Sequence, residues 1–299
     1  FQQSLELSQT IGHQPLTLRI LTSLAHMTWS RRWFEQSQSY YQQCYELSQT
    51  AGNQFFMARS LNGVGNAAFM LENYEQAKTH YQQALTLFQA IGYTASIIRM
   101  LGLLGLVTTN QEEYDQSQAY HEQAVAMSRE IGDRFNMALG LANLAGTLSS
   151  KGDYQQCRVC YEQALEISRE IENDYLTGFA LDGLTYVLHR QRAYTEAIAH
   201  AEQAVALYRA AGGWQANSNV VAMLYPLGVF YLKTGDPRAQ QTFHEALSIA
   251  HAHQLADTLP EAFLGFVHLY VADGGAGRRG AGNRRQRCHP VKRARRIAC

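Results

Sequence analysis

Proline is scarce in this chain, with five in 299 residues. A sequence so poor in helix breakers can run through long helical stretches with few interruptions. Cysteine is equally rare at five residues, and the usage suits a reducing compartment rather than a disulfide-stapled secreted fold. No uncharged apolar run reaches 18 residues, so no membrane-spanning helix is expected. The first residues show neither the charged start nor the long apolar run of a secretion signal, and a cytoplasmic setting is expected.

The motifs of several common chemistries are missing as well. There is no Gly-x-x-x-x-Gly-Lys-[Ser/Thr] run to hold nucleotide phosphates, no Gly-x-Ser-x-Gly elbow and no His-Glu-x-x-His helix. Cys157-x-x-Cys160 has no second pair to complete a zinc site and no predicted strand beside it, so it reads as helix packing. Catalytic residues, cofactors and metals are therefore not expected in this segment.

Charge of one sign is lacking overall, since 25 Lys+Arg balance 25 Asp+Glu. The balance hides an asymmetry. Eight arginines and Lys292 face one acid, Asp273, within 272–299, leaving 16 basic against 24 acidic residues before it. An acidic body offers no broad attraction to nucleic acid. The basic tail has no interleaved aromatics, so any binding there would be nonspecific and salt-sensitive.

What the chain does have is a period of 40 residues. Tyr41-Gln-Gln-Cys44, Tyr81-Gln-Gln-Ala84, His121-Glu-Gln-Ala124, Tyr161-Glu-Gln-Ala164 and Ala201-Glu-Gln-Ala204 stand in one register. Phe1-Gln-Gln-Ser4 precedes them, and Phe243-His-Glu-Ala246 follows after a two-residue slip. Gly12, Gly52, Gly92, Gly132 and Gly212 share a second register, with Glu172 in the place of one glycine. Phe34, Tyr74, Tyr114, Tyr154 and Tyr194 form a third, each three residues before a small side chain. Two helical stretches per unit at this spacing mark a stack of antiparallel hairpins, an all-α superhelical solenoid.

Residues 54–93 show the unit most clearly. Phe55, Ala58, Leu61, Val64, Gly65 and Ala68 recur at helical spacing, the chain turns at Leu71–Asn73, and a second helix from Tyr74 stops near Gly92. Gly65, Gly105, Ala25 and Ala145 lie 40 apart, where a larger side chain would hold the paired helices away from each other. The tyrosines at the start of the second helices are expected to fill the wider gap and to place a hydroxyl near the turn.

These residues resemble the tetratricopeptide repeat family in its 40-residue variety. The small residue in the first helix, Tyr-x-x-Ala at 74–77 and 194–197, and the aromatic and alanine at 81/84 and 161/164 carry the likeness over about residues 1–270. Lys151-Gly-Asp-Tyr154 and the Ser-Arg-Glu-Ile runs at 128–131 and 168–171 look like arrays in large bacterial regulatory proteins. The resemblance implies an interaction role, with a protein or peptide partner in a groove lined by the first helices. Arg19, Arg59 and Arg99 recur 40 apart there as a candidate basic ladder for carboxylates, with His26, Trp29, Asn62, Asn66, Phe69 and Tyr186 as further contacts. His80 and His200 share a position with Tyr40, Tyr120 and Cys160, and are read as packing residues.

The expected organisation is a repeat array over 1–271, irregular from 212, and a basic Gly/Arg-rich tail over 272–299. Gly212-Gly213-Trp214-Gln215 should lengthen a link between helices, Pro226 should kink the next first helix or delay its start, and Pro237 replaces a turn aromatic. Because Phe1 matches Tyr41, the chain reads as an excerpt of a longer polypeptide or as a gene model with an incorrect start. The function expected is a noncatalytic scaffold for a peptide or partner domain, an acidic one among the candidates, inside a bacterial signalling or transcriptional regulator. Alternatives are an intramolecular autoinhibitory or oligomerising spacer and, with less support, a nucleic-acid adaptor acting through the tail.

Overall fold

The structure, a computed structural model, describes residues 2–255 and the single positions 258, 260, 264 and 268. The tail 272–299 lies outside the described residues, as does most of the hairpin expected after Thr258. Two compact units divide between Asn136 and Met137.

The first unit contains α1 (Gln2–Thr10), α2 (Gln14–Ser30), α3 (Phe34–Thr50), α4 (Gln54–Met70), α5 (Tyr74–Ala90), α6 (Thr94–Asn110) and α7 (Tyr114–Glu130). From α2 onward each helix has 17 residues, and three-residue turns separate them. Two helices and two turns give the 40-residue period. Each helix packs on the next along the chain, so hairpins stack in sequence order. We call α2, α4 and α6 the A helices and α3, α5 and α7 the B helices.

The turns explain the glycine register. Gly12, Gly52, Gly92 and Gly132 all have φ between 65° and 70°, the left-handed conformation that closes a helix. The other turn of each hairpin uses the same geometry without glycine: Arg32, Glu72 and Glu112 sit at φ 62°, 62° and 63°. After α4, the Glu72 amide donates to the Phe69 carbonyl at 3.0 Å and the Asn73 amide to the Ala68 carbonyl at 2.9 Å. A side chain at such a φ is strained. Glu72→Gly and Glu112→Gly are each expected to raise stability by about 0.5–1 kcal/mol, the relief being partly offset by a freer unfolded chain. Urea unfolding checks this, and a loss would show that these side chains hold the turn.

Small and large residues interlock between helices. A Cβ on Gly65 would come within 2.6 Å of the Tyr81 ring, and one on Gly63 within 2.5 Å of the Tyr41 ring. The ring in the gap is therefore the first residue of the Tyr-Gln-Gln motif, not the aromatic that opens the B helix. The opening aromatics pack at the hairpin end instead: Phe34 lies edge-on to Trp29 at 5.2 Å and Tyr74 edge-on to Phe69 at 5.6 Å. Where the small B-helix residue is serine, its hydroxyl crosses the interface. Ser37 Oγ donates to the Ala25 carbonyl at 3.0 Å and Ser117 Oγ to the Gly105 carbonyl at 2.9 Å.

The second unit takes in most of α8 (Arg134–Lys151) and all of α9 (Tyr154–Glu170), α10 (Asp174–Arg190), α11 (Tyr194–Ala211), α12 (Gly213–Thr234) and α13 (Ala239–Ala252). Asp153 Oδ1 and Asn173 Oδ1 cap α9 and α10, accepting from the Gln156 and Leu176 amides at 3.1 and 2.9 Å. Glu172, in the place of a glycine, adopts φ 52°. The irregular end departs from the sequence expectation. Gly212 alone closes α11, and Gly213, Trp214 and Gln215 join α12 rather than a longer link. That helix reaches 22 residues and includes Pro226, so it starts early rather than late. Phe243 still takes the ring position, since a Cβ on Gly228 would meet its ring at 2.5 Å.

Where Pro237 displaces the turn aromatic, a polar latch closes the hairpin. The Arg238 guanidinium lies 4.3 Å from the Tyr231 ring centroid and donates to Glu202 Oε1 at 2.7 Å. Tyr231 Oη donates to the same oxygen at 2.5 Å, and burial, followed by this hydrogen bond, pushes the phenol pKa well above its usual value.

Candidate functional site

Charge is segregated between the two kinds of helix in the first unit. Apart from His26, Arg19, Arg59 and Arg99 are the only ionisable side chains of α2, α4 and α6, which carry no acid at all. All three arginines are exposed. None has a hydrogen bond or ion pair among the described residues.

The B helices behave differently. Lys78 Nζ lies 2.6 Å from Glu113, and Gln111 Nε2 donates to Glu75 at 2.5 Å. In the second unit Arg158 pairs with Glu162 at 2.7 Å and Glu196 at 3.5 Å, Arg169 donates to Gln203 at 3.2 Å, and Arg209 pairs with Glu245. Such exposed pairs add little stability each. They do show that several cations elsewhere in the array have partners.

Arg99 combines two properties. Its side chain reaches solvent, yet protein around the guanidinium strips enough water to lower its pKa, with the charge of Arg59 adding to the effect. Both hold for a group that is accessible but walled by its surroundings. One turn beyond Arg99 the helix surface is open, whereas the matching residue beyond Arg59 is buried. Gly102 follows Arg99 by three residues, and a Cβ there would meet nothing within 4 Å. Asn62 follows Arg59 by three; it is 7% exposed, and its Oδ1 has no hydrogen-bond partner among the described residues. A buried amide oxygen left unpaired costs roughly 1–3 kcal/mol.

The remaining candidates are divided by the structure. His26 is exposed, with its ring edge-on to Tyr41 at 6.0 Å. Trp29 is half-buried against Phe34. Phe69 faces inward at 4% exposure, and Asn66 spends its Oδ1 on the Tyr81 hydroxyl at 2.8 Å, so both serve packing rather than an open surface. Tyr186 belongs to the second unit, where it hydrogen-bonds with Tyr154 and Ser149. Gly102 was not singled out by the sequence; its only signal there is a glycine mid-helix where the preceding repeat has Asn62.

The packing histidines and thiols are shaped by burial. His80 and His200 each have a buried Nδ1 without a partner, and burial lowers both pKa values. Burial pushes the Cys44 thiol up to about 11 and the Cys157 thiol up to about 12, which leaves little thiolate near neutral pH. Among the described residues no cluster of three or more His, Cys, Asp or Glu could hold a metal ion, and no helix is long and apolar enough to cross a membrane.

Alternating 17-residue helices, left-handed turn residues and interlocked rings define a helical-hairpin repeat protein. The family model for the tetratricopeptide repeat matches residues 29–90, 56–130 and 133–210, more than half of the chain, and the chain belongs to that family. Solved structures agree in fold. Aspartyl phosphate phosphatase F from Bacillus subtilis superposes with a TM-score of 0.71 at 10% identity, over 90% of this chain and 74% of that one. A signal-transduction ATPase with numerous domains and a tetratricopeptide repeat sensor, from Pyrococcus horikoshii, gives 0.70 at 17%, over 88% of this chain and 41% of that one. NprR in complex with its cognate peptide NprX gives 0.58 at 14%, over 82% and 69%. No curated protein sequence matches.

Proposed function

We propose that this array is a noncatalytic docking scaffold whose A-helix face in the first unit holds an acidic segment of a partner protein. The observation that carries the reading is the unspent charge of Arg19, Arg59 and Arg99 on three helices without a single carboxylate. Together the three side chains carry fifteen N–H donors in forks suited to carboxylate oxygens, one fork per repeat. Because those helices are rigidly spaced, little ordering cost falls on the scaffold when a segment binds. A fold likeness to a peptide-bound structure, NprR with NprX, supports a peptide as the ligand. Placement within a larger bacterial signalling or transcriptional regulator in the cytoplasm is part of the proposal. The signalling part of that placement draws support from the repeat sensor of the Pyrococcus ATPase, where the match covers only 41% of that longer chain.

The test is selection of peptides from a displayed random library on the full chain, followed by titration of the enriched peptides. Acid-rich sequences are expected to emerge. Arg59→Glu with Arg99→Glu should weaken them by about a hundredfold or more, two charge-assisted contacts having been replaced by repulsion. Circular dichroism should show an unchanged helical melt, since both side chains are exposed. Acid-rich peptides that bind the double variant as well as the wild type would overturn the reading.

A further inference from the structure

We propose that Arg59 and Arg99 together form a clamp for one doubly charged group, a phosphorylated side chain on the docked segment. The inference rests on the docking reading above and narrows it to a ligand class. Three features point to a single dianion rather than to separate carboxylates. The two arginines occupy the same position on α4 and α6 in successive hairpins, both exposed and both without a partner among the described residues. Successive hairpins hold the two cations in one register, and the charge of Arg59 adds to burial in lowering the Arg99 pKa. The surface beside Arg99 is vacant because Gly102 stands where the preceding repeat has Asn62, and that vacancy can take a tetrahedral group.

A carboxylate brings one negative charge and two oxygens. A phosphoryl ester near pH 7 brings a charge of about −1.5 to −2 and three acceptor oxygens, enough to engage both guanidiniums at once. Asn62, one turn along α4, has an amide not yet committed to any partner through its oxygen; its NH2 can turn toward a phosphoryl oxygen when the group binds. Arg19 extends the same ladder on α2 and is free to take a flanking acid of the segment.

The experiment uses the full chain and four probes: an alanine-rich peptide with one phosphoserine, the same peptide with one glutamate, the same with two glutamates, and inorganic phosphate. Calorimetric titration is expected to show the phosphoserine peptide binding about tenfold or more tightly than the single-glutamate peptide. Arg59→Gln and Arg99→Gln should each remove that preference, because the clamp needs both. Gly102→Glu should remove it as well, by filling the vacancy and supplying an anion in place. Affinity for phosphoserine, but not for glutamate, should fall as pH drops below about 6, where the ester loses its second charge.

Equal binding of the two-glutamate and phosphoserine peptides would overturn the clamp. So would undetectable phosphoserine binding at millimolar concentration, or persistence of the preference in either single arginine variant. Inorganic phosphate binding as tightly as the phosphopeptide would show an adventitious ion only. Each of these leaves the docking reading standing as long as library-selected acidic peptides still lose affinity in the Arg59→Glu, Arg99→Glu double variant.

Discussion

Lowering the pH from 7 to 4 is expected to cost the protein about 3 kcal/mol of stability through one side chain, His121. The ring is fully buried on α7, and both of its nitrogens lack a hydrogen-bond partner. A Cβ on Gly105 would collide with it, so the ring lies directly against the α6 backbone. Burial alone lowers its pKa from 6.5 to about 4, and no charged group contributes. Above pH 6.5 the histidine is neutral in both folded and unfolded chains, and no penalty arises. Between pH 6.5 and 4 the unfolded chain binds a proton that the folded chain refuses, so stability falls as pH falls through that window. His80, His189 and His200 are shifted in the same direction by burial and add to the slope.

His121→Phe isolates the effect. Phenylalanine restores an aromatic ring without nitrogens, and it suits the site better than tyrosine does. In the preceding repeat the Tyr81 hydroxyl finds Asn66 Oδ1, but the residue equivalent to Asn66 beside His121 is Leu106, which offers no acceptor. Urea unfolding at pH 7 and pH 4.5 should show a smaller acid loss in the variant than in the parent. An identical loss in both would mean that His121 does not sense pH.

The second large effect concerns glycines inside helices. Gly65→Ala is expected to cost about 1–3 kcal/mol, because the new Cβ is driven into the Tyr81 ring. Helix propensity alone would predict a gain of about 1 kcal/mol. Gly102→Ala should show that gain, since its Cβ would enter open space. In a Tyr81→Leu background the cost of Gly65→Ala should shrink, as the ring that causes the clash is gone. An unchanged cost there would shift the explanation from ring packing to the backbone of α5, whose Ala77 carbonyl lies 3.4 Å from the same Cβ.

Several features of this protein were legible without a structure because repetition multiplies a weak local signal. One glycine after an apolar run says little, but Gly12, Gly52, Gly92 and Gly132 at equal spacing require a turn in every unit, and each has a positive φ. The arginine ladder was visible for the same reason. Its isolation was not, because whether an arginine has a carboxylate beside it depends on neighbours 35 to 38 residues away. Lys78 with Glu113 and Arg158 with Glu196 show how such pairs cross between hairpins.

Other expectations failed where one position can serve two ends. Phe69 and Asn66 sit near the arginines in helical register, yet one turns into the core and the other holds Tyr81. The glycines and tryptophan at 212–215 looked like a linker, but a helix end was needed only once, at Gly212, and the rest extended α12. By itself the sequence determined the hairpin, its length and its stacking order, since period and turn chemistry are properties of the chain. Only the tertiary structure decided which ring fills the gap beside each glycine, which cations remain unpaired and how deeply His121 is buried. Those depend on atoms far apart in sequence that meet only after the helices pack.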